Sequence, residues 1–381
     1  MKKIVLIIAL LSPLFTYAQN KPNKKKGPTT YDLLIGTYTS GTSKGIAVYR
    51  FYAENGRLAY LSQIDGVTNP SYLTLSSNNK FIYAVNETPK GEVSSFSFEP
   101  KTGKISFINK QSSEGDDPCY VGVDKAQKNV FVANYSSGTV AVLPVNKDGS
   151  LSKAIQTLHD DGAHGPNKDR QEGPHAHMSI LSPDEKYLLY NDLGTDKVNV
   201  LRYRASNEKP LEPASTPFVS VKPGDGPRHL EFSADKKHAY LITEMGSNVL
   251  VFDYDNGKLK QKQTITLLAD NFKGQTAGAA LHLSPDGRFL YASNRLETNE
   301  IIVYAVNQET GELTFVQRQP SMGKNPRDFA IDPTGKFMIV ANQNSDTIYV
   351  LRIDNATGKL SPTGSRLEIG NPVCLKFAPA Q

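Results

Sequence analysis

The sequence contains no tryptophan and only two cysteines among its 381 residues, and these absences exclude several classes of protein. WD-type repeats carry tryptophan in their signature, so repeats of that type are disfavoured. The two cysteines, Cys119 and Cys374, are too few to define a disulfide framework, and we expect both to be buried free thiols. Beyond the N-terminal segment, no apolar run approaches the length of a membrane-spanning helix.

Acidic residues are absent before Asp32, and this absence accounts for the apparent basicity of the chain. Lysine and arginine number 43 against 38 acidic residues, which gives a formal net charge of +5. Six of the lysines lie ahead of Asp32, at Lys2, Lys3, Lys21, Lys24, Lys25 and Lys26. Without these six, 37 basic residues face 38 acidic ones, so the composition gives no reason to expect a nucleic-acid partner.

The N-terminal segment has the features of a targeting sequence. Residues 1–18 consist of two lysines, an apolar run from Ile4 to Leu11 and a small residue, Ala18, which is the order of a secretory signal peptide. No cysteine follows that could carry a lipid anchor. Residues 19–30 are predicted to form a basic flexible linker. We therefore expect an exported protein, periplasmic or secreted, that leaves the membrane after cleavage behind Ala18.

The rest of the chain, residues 31–381, repeats one pattern at a spacing of about 50 residues. Apolar alternation broken by Gly-rich and Asp-rich turns predicts four antiparallel strands per copy. The copies begin at Asn69, Pro118, Pro174, Pro227, Gly278, Pro326 and Pro372. The last copy supplies only a first strand, and segments that begin at Asp32, Gly45 and Arg57 supply the other three. The pattern predicts one all-β domain, a seven-bladed β-propeller with one blade closed by the N- and C-terminal strands.

Two positions in each repeat are predicted to face the central channel. In a ring of blades, the segments before the first strand and after the second strand meet around the channel on one face. A charged residue found there in only some copies is not required by the blade and is a candidate for function. Blades 3 to 5 supply four such residues, namely His177, Arg228, Glu244 and Arg295. Charges in a narrow channel are costly unless they pair or meet a ligand, so we expect a functional cluster.

The longest connection in the chain runs from His159 to His177 and leads into the same face. It contains four of the seven histidines. His175 and His177 are two residues apart, so on an extended backbone they point the same way. A metal site and a purely structural hydrogen-bonding role are both open for this pair. Because no third ligand has a fixed spacing, we predict no metal and no cofactor.

Several motifs are specific enough to compare with a known family. They are GPNKDRQEGPHAH with the SPDEKYLLYNDLGTDKV that follows, GDGPRHLEFS, the TE that ends at Glu244 and the SNR that ends at Arg295. Across residues 31–381 the chain resembles the lactonase-type seven-bladed β-propeller family, which includes a bacterial 6-phosphogluconolactonase and the fungal 3-carboxy-cis,cis-muconate lactonizing enzyme. The resemblance implies a cleft with catalytic His177, Arg228, Glu244 and Arg295. The residues predicted to bind substrate beside them are His175, Arg170, Arg327 and His229.

These observations predict a hydrolase that opens a sugar-derived lactone with a water molecule activated at the propeller mouth. Glu244 or His177 would be the general base, and arginines would bind the substrate's phosphate or carboxylate or the developing oxyanion. We find no serine in the elbow of α/β-hydrolases, so an acyl-enzyme route is unsupported. Two alternatives stay open: a non-enzymatic propeller that binds an anionic sugar or a partner, and an enzyme of the muconate lactonizing type. A closed ring has no sheet edge that requires a partner, so we expect a monomer.

Overall fold

Seven four-stranded antiparallel sheets form a closed ring in the computed structural model, which describes residues 29–380. The expectation of an all-β seven-bladed propeller is confirmed. The predicted signal peptide and almost all of the predicted basic linker lie outside the described residues. Within the described part of the chain, no helix is long and apolar enough to cross a membrane.

The strands follow the predicted repeat. The chain starts with β1 (Thr30–Thr37), β2 (Gly45–Tyr52) and β3 (Arg57–Asp65). Blades 1 to 3 are β4 (Leu73–Leu75), β5 (Phe81–Asn86), β6 (Glu92–Glu99) and β7 (Lys104–Ser112); β8 (Pro118–Val123), β9 (Asn129–Asn134), β10 (Thr139–Pro144) and β11 (Gln156–His159); and β12 (Ala176–Leu181), β13 (Tyr187–Asp192), β14 (Lys197–Tyr203) and β15 (Leu211–Ser220).

Blades 4 to 6 have the same order, with the first strand of each blade nearest the channel. They are β16 (Pro227–Phe232), β17 (His238–Thr243), β18 (Asn248–Asp255) and β19 (Lys258–Thr266); β20 (Thr276–Leu283), β21 (Phe289–Leu296), β22 (Glu300–Val306) and β23 (Leu313–Pro320); and β24 (Pro326–Ile331), β25 (Phe337–Asn342), β26 (Thr347–Ile353) and β27 (Leu360–Glu368). A 3-10 turn, Gln343–Ser345, follows β25, and the last strand of the described chain is β28 (Pro372–Pro379).

The turn between the first two strands of a blade is held by side chains that the repeat supplies. Ser182 Oγ donates to Asp184 Oδ1 at 2.7 Å and accepts the N–H of Tyr187 at 3.1 Å. Ser284 and Asp286 form the same donor and acceptor pair in blade 5, at 2.6 Å. Short hydroxyl and carboxylate side chains stabilise tight turns through such local bonds, which is why the Ser-Pro-Asp pattern marks these hairpins.

Burial is greatest in the second strand of a blade and decreases toward the fourth. The second strands β9 and β17 are buried along their whole length, because neighbouring blades cover both of their faces. The fourth strand β3 has only part-buried and exposed residues, since its outer side faces solvent. The middle strands therefore read as continuous apolar runs, and only the outer strands alternate clearly.

The closing blade joins the two ends of the described chain. Its strand order is β28, β1, β2, β3, and β1 pairs with β28 from Tyr31 opposite Pro379 to Thr37 opposite Pro372. Edge-to-face contact between Phe51 of β2 and Phe377, with a centroid distance of 5.2 Å, packs this blade internally. The prediction that N- and C-terminal strands complete one blade is confirmed.

Further along the first strands, away from the mouth, a polar chain links four successive blades. His282 Nδ1 lies 3.0 Å from Glu231 Oε2, and His282 Nε2 lies 3.5 Å from Asp328 Oδ1. The second oxygen of Asp328 accepts the N–H of Leu375 in β28 at 2.8 Å. Burial alone would lower the pKa of His282, but its bonds to Asp328 and Glu231 raise the pKa to about 9. The protonated imidazole therefore helps to hold the ring closed at neutral pH.

Replacing His282 with glutamine tests this link. Because the pKa of His282 is raised to about 9 in the folded chain, from about 6.5 when unfolded, its stabilisation is complete below the lower value and is lost as the pH rises through the higher one. We expect the difference in free energy of unfolding between wild type and His282→Gln, measured in urea, to be largest near pH 6 and to fade above pH 9. A difference independent of pH would contradict the link.

Candidate active site

A β-bulge at the start of the first strand directs one side chain of most blades into the mouth of the channel. In blade 4, Pro227 and His229 pair with consecutive residues of β17, so Arg228 is the extra residue. His177 and Arg327 hold the same position in blades 3 and 6. A bulge re-aims its side chain and breaks the alternation of the strand. Arg228 and His229 consequently both face the channel, with Arg228 Nη1 3.3 Å from His229 Nε2.

The carboxylate of Glu244 is the centre of the mouth. Glu244 follows β17 and is buried. Its Oε2 lies 3.0 Å from Arg228 Nε and 3.0 Å from Arg295 Nη2, and its Oε1 accepts a hydrogen bond from Arg170 Nη2 at 2.7 Å. His177 Nε2 lies 3.9 Å from Oε2. Four of the residues predicted to act here therefore converge on one carboxylate.

The charges at this centre determine which groups are ionised. Burial by itself would raise the pKa of Glu244, but the positive charges of Arg295 and Arg228 outweigh it and hold the pKa well below its usual range. The pKa of Arg228 falls to about 10, first because the side chain is buried and then because Arg295 and Arg327 lie nearby. At neutral pH the centre is a carboxylate surrounded by guanidinium groups.

Backbone carbonyls of blade 5 fix two of these guanidinium groups in place. Arg228 Nη1 donates to the carbonyl oxygen of Ala279 at 2.6 Å, and Arg295 Nη2 donates to that of Gly278 at 3.1 Å. Both arginines are buried. Their positive charge is therefore fixed at one point of the channel wall. Fixed positive charge can stabilise a negative charge that develops during a reaction without any movement of the protein.

His177 is the neutral partner of this centre. Burial, and then the positive charge of Arg228, hold the pKa of His177 well below its usual range. Its Nδ1 lies 3.8 Å from the Sγ of Cys119, and its ring meets that of His229 edge to face at 5.3 Å. Burial raises the pKa of the Cys119 thiol, so this group is protonated at neutral pH and is a poor nucleophile. Cys119 and Cys374 are both buried and free, as expected.

The long segment before blade 3 covers one side of the mouth. Its Arg170 is about 41% exposed and donates to Tyr135 Oη at 3.0 Å as well as to Glu244. His175 stacks on the Tyr135 ring at 4.6 Å, and its Nε2 lies 3.2 Å from Glu172 Oε1. His175 is therefore one layer away from the Glu244 carboxylate and contacts it through Tyr135 and Arg170.

A second polar group lines the opposite wall. Glu87 of blade 1 accepts hydrogen bonds from Tyr38 Oη at 2.8 Å and from the hydroxyl of Ser71. The guanidinium of Arg327 lies 5.5 Å from the centre of the Tyr38 ring. Among residues 29–380, no carboxylate oxygen comes within the 4.0 Å that defines an ion pair with Arg327. Among the described residues, Arg327 is thus the arginine of the mouth that makes no ion pair, although Glu87 and Glu244 lie near enough to act on its charge.

Neither a metal cluster nor a serine elbow occurs in the described chain. Between Thr29 and Ala380, no three His, Cys, Asp or Glu side chains converge as metal ligands. The pentapeptide Gly41–Gly45 does fit the Gly-x-Ser-x-Gly pattern, contrary to the expectation that the sequence holds none. It connects β1 to β2, and its Ser43 Oγ donates to Thr37 Oγ1 at 2.7 Å. A nucleophile elbow joins a strand to a helix, so this match has the wrong context.

Comparison with known proteins agrees with this architecture. The model of the family described as "Lactonase, 7-bladed beta-propeller" matches residues 32–377. The chain belongs to this lactonase family. The expectation of an enzyme of the lactone hydrolase class is thereby confirmed, and the family accounts for nearly all of the described residues.

Named relatives of the lactonase family cover the chain almost completely. The 6-phosphogluconolactonase of Bacillus subtilis is 35% identical over 92% of this chain and 99% of its own. The 6-phosphogluconolactonase of Formosa agariphila is 32% identical over 91% and 99%. The solved structure of the periplasmic gluconolactonase of Pseudomonas aeruginosa superposes with a TM-score of 0.88 at 40% identity, covering 92% of this chain and all of that one.

The structure separates the predicted lactonase residues into two groups. One contact cluster joins the four predicted catalytic residues to Arg170 and, through Arg228, to His229. His175 and Arg327 lie apart from this cluster, on the Tyr135 side and on the opposite wall. Sequence reasoning did not single out Tyr135 and Glu87, although both stand at the channel-facing position after a second strand. Their position after a second strand could have identified them, but the prediction considered only charged residues of blades 3 to 5.

Glu244 and Glu87 occupy equivalent positions in different blades, so they form a matched pair for a stability test. Glu244→Gln leaves buried Arg228 and Arg295 without a counter-charge, and we expect a loss of about 3–5 kcal/mol in the free energy of unfolding. Tyr38 and Ser71 donate to different oxygens of Glu87, so Glu87→Gln keeps an acceptor for one of them, while the hydroxyl of the other can accept from the new amide NH2; we expect a loss of about 1 kcal/mol. Urea unfolding at pH 7 measures both. Equal losses would show that the arginines do not depend on Glu244.

Proposed function

We propose that this protein hydrolyses a sugar-derived lactone at the propeller mouth. The observation that carries the proposal is the buried Glu244 carboxylate, paired with two fixed arginines and 3.9 Å from the neutral His177 imidazole. A neutral imidazole can accept a proton from water, and fixed positive charge can stabilise an oxyanion. The names of the relatives, 6-phosphogluconolactonase and gluconolactonase, support a lactone as the substrate.

We assign the role of general base to His177. Both oxygens of Glu244 are already engaged, Oε1 with Arg170 and Oε2 with Arg228 and Arg295. These three contacts occupy most of the lone pairs of the carboxylate, so Glu244 is poorly placed to take a proton from water. The Nε2 of His177 has no such partner closer than 3.9 Å. Glu244 then stabilises the imidazolium that forms, and the arginines keep Glu244 ionised.

The reaction follows in two steps. The oxygen of water attacks the lactone carbonyl carbon while His177 Nε2 takes the water proton, and the carbonyl oxygen becomes an oxyanion beside the guanidinium groups. The tetrahedral intermediate then collapses, the bond between the acyl carbon and the ring oxygen breaks, and the imidazolium returns its proton to the departing alkoxide. The product is an open-chain hydroxy acid, and each turnover releases one acidic group.

The charge of the mouth favours a substrate with an anionic group. Arg327 has no ion-pair partner among the described residues, and Arg170 stands half exposed at the rim. A guanidinium binds phosphate or carboxylate through paired N–H donors. We therefore assign the anionic end of the substrate to Arg327 and the lactone carbonyl to the Glu244 side of the mouth.

Export is part of the proposal. The sequence of residues 1–18 has the order of a signal peptide, and one solved relative at 40% identity is a periplasmic gluconolactonase. The substrate would then be a lactone that forms or arrives outside the cytoplasm.

The central test is turnover of a lactone panel followed by pH-stat. We expect Glu244→Gln and His177→Ala each to lower kcat by about 100-fold or more, because each removes a group that acts in the transition state. Rates are compared per folded protein, since Glu244→Gln also weakens the fold. His159→Ala, at an exposed histidine where the same connection begins, is the control and should retain activity. Cys119→Ser is a separate test of the thiol beside His177.

Three outcomes distinguish the candidate functions. Hydrolysis releases acid, saturable binding without acid release indicates a binding propeller, and consumption of an open-chain acid indicates lactonizing chemistry. Wild-type activity that survives in both Glu244→Gln and His177→Ala would overturn the assignment of this site. Loss of activity in Cys119→Ser would instead direct attention to the thiol.

Arg327 is tested by comparing two substrates. Arg327→Gln removes this positive charge, so we expect KM for a phosphorylated sugar lactone to rise by about 10-fold or more, with KM for the unphosphorylated lactone little changed. Steady-state kinetics on the two lactones measures the change in KM for each of them. Arg318→Gln is the matched control because Arg318 pairs with Glu300 outside the mouth. Equal effects on both lactones would remove Arg327 from substrate recognition.

A further inference from the structure

The turn between β13 and β14 carries two buried aspartates, Asp192 and Asp196, that no step of the proposed mechanism uses. They belong to the NDLGTD motif, and their carboxylates point to two different segments of the mouth. One segment leads to His177, and the other leads to Arg228 and is hydrogen-bonded to the backbone of Glu244. This turn is therefore in contact with both sides of the candidate site.

Asp192 fixes the segment that leads to His177. Its Oδ1 accepts the backbone N–H of His175 at 2.8 Å, and also those of Gly194 at 2.9 Å and Thr195 at 3.1 Å. The next residue, Leu193, holds the same segment, since its N–H donates to the His175 carbonyl at 2.9 Å. His177 is the bulge residue two positions further on, so its direction depends on where His175 is held.

Asp196 fixes the segment that leads to Arg228. Its Oδ2 accepts the N–H of Gly224 at 2.7 Å, and its Oδ1 accepts the N–H of Gly226 at 2.8 Å. The carbonyl oxygen of Gly226 in turn accepts the N–H of Glu244 at 2.7 Å. One carboxylate thus determines the backbone position of the loop that carries Arg228 and of the residue at the centre of the mouth.

We propose that Asp192 and Asp196 are positioning residues that set the separation between His177 Nε2 and Glu244 Oε2. The two groups come from different blades, and the turn from Asp192 to Asp196 is bonded to the backbone beside each of them. Neither carboxylate touches the reacting atoms. The inference rests on the proposed function where kcat is measured, and it is independent of that function where backbone hydrogen exchange is measured.

The two aspartates use their oxygens differently, and this difference makes the inference testable. Asp192 uses Oδ1 alone, while its buried Oδ2 has no hydrogen-bond partner among the described residues. An asparagine at position 192 can keep all three bonds. Burial is the main cause that raises the pKa of Asp192 to about 6. Because the surroundings disfavour the charged carboxylate, a neutral asparagine is suited to this position. Asp196 uses both oxygens, and an asparagine there would turn one acceptor into a donor that faces an N–H.

The experiment compares Asp192→Asn, Asp192→Ala and Asp196→Asn with wild type. We expect Asp192→Asn to keep kcat within a factor of about 3, and Asp192→Ala and Asp196→Asn to lose about 100-fold in kcat with little change in KM, because misplacement by about 1 Å costs that much. Asp332→Asn is the matched control. Asp332 also accepts backbone N–H groups with both oxygens, from Thr334 at 2.9 Å and Lys336 at 2.8 Å, in a turn on the far face.

Hydrogen exchange followed by mass spectrometry is the second readout, and it does not depend on activity. Asp196→Asn should raise exchange at Gly224 and Gly226, and Asp192→Ala should raise it at His175. Wild-type kcat in Asp196→Asn, or an equal loss of kcat in Asp332→Asn, would overturn the inference. A wild-type protein without lactonase activity would overturn the proposed function, while the exchange pattern would still decide whether the turn holds both segments.

Discussion

A buried carboxylate needs compensation, and the candidate site is built around that requirement. Removing Glu244 from water costs several kcal/mol, and the chain offsets this cost with three arginines drawn from three different places. Each arginine must then be held in turn, by Ala279 and Gly278 carbonyls or by Tyr135. The loops and bulges of blades 3 to 5 follow from the need to bring these groups to one point.

Seven similar blades produce a site with distinct walls because most blades repeat the β-bulge, while the side chain at the bulge differs from blade to blade. The bulge at the start of the first strand occurs in blades whose mouth residue is Cys119, His177, Arg228 or Arg327. The bulge supplies the direction, and the sequence at that one position supplies the chemistry. A repeat fold can therefore change its site without changing its core, since β9, β17 and β25 stay buried whatever the bulge residue is.

The repeat made the fold predictable, because period-2 segments and polar turns recur about every 50 residues. It also pointed to Glu244 and Arg228, since a charge that interrupts a repeat is visible in one sequence. His229 was predicted to bind substrate, but strand alternation would turn it away from the channel, and only the bulge explains its direction. Asp192 and Asp196 were not recognised, because an aspartate in a turn is common and its partners here are backbone groups remote in sequence. Pairings across blades, such as Cys119 with His177, depend on ring geometry that no local pattern contains.

The pairing of β1 with β28 also determines when the ring can close during synthesis of the chain. Synthesis proceeds from the N-terminus, so the edge of β1 stays open until the final strand has left the ribosome. Tyr38 follows β1, whereas Arg327 and its blade lie close to the C-terminal end, so the wall that holds both is assembled last. A nascent or truncated chain thus has no finished mouth, and the ring acquires its complete site only as a whole molecule.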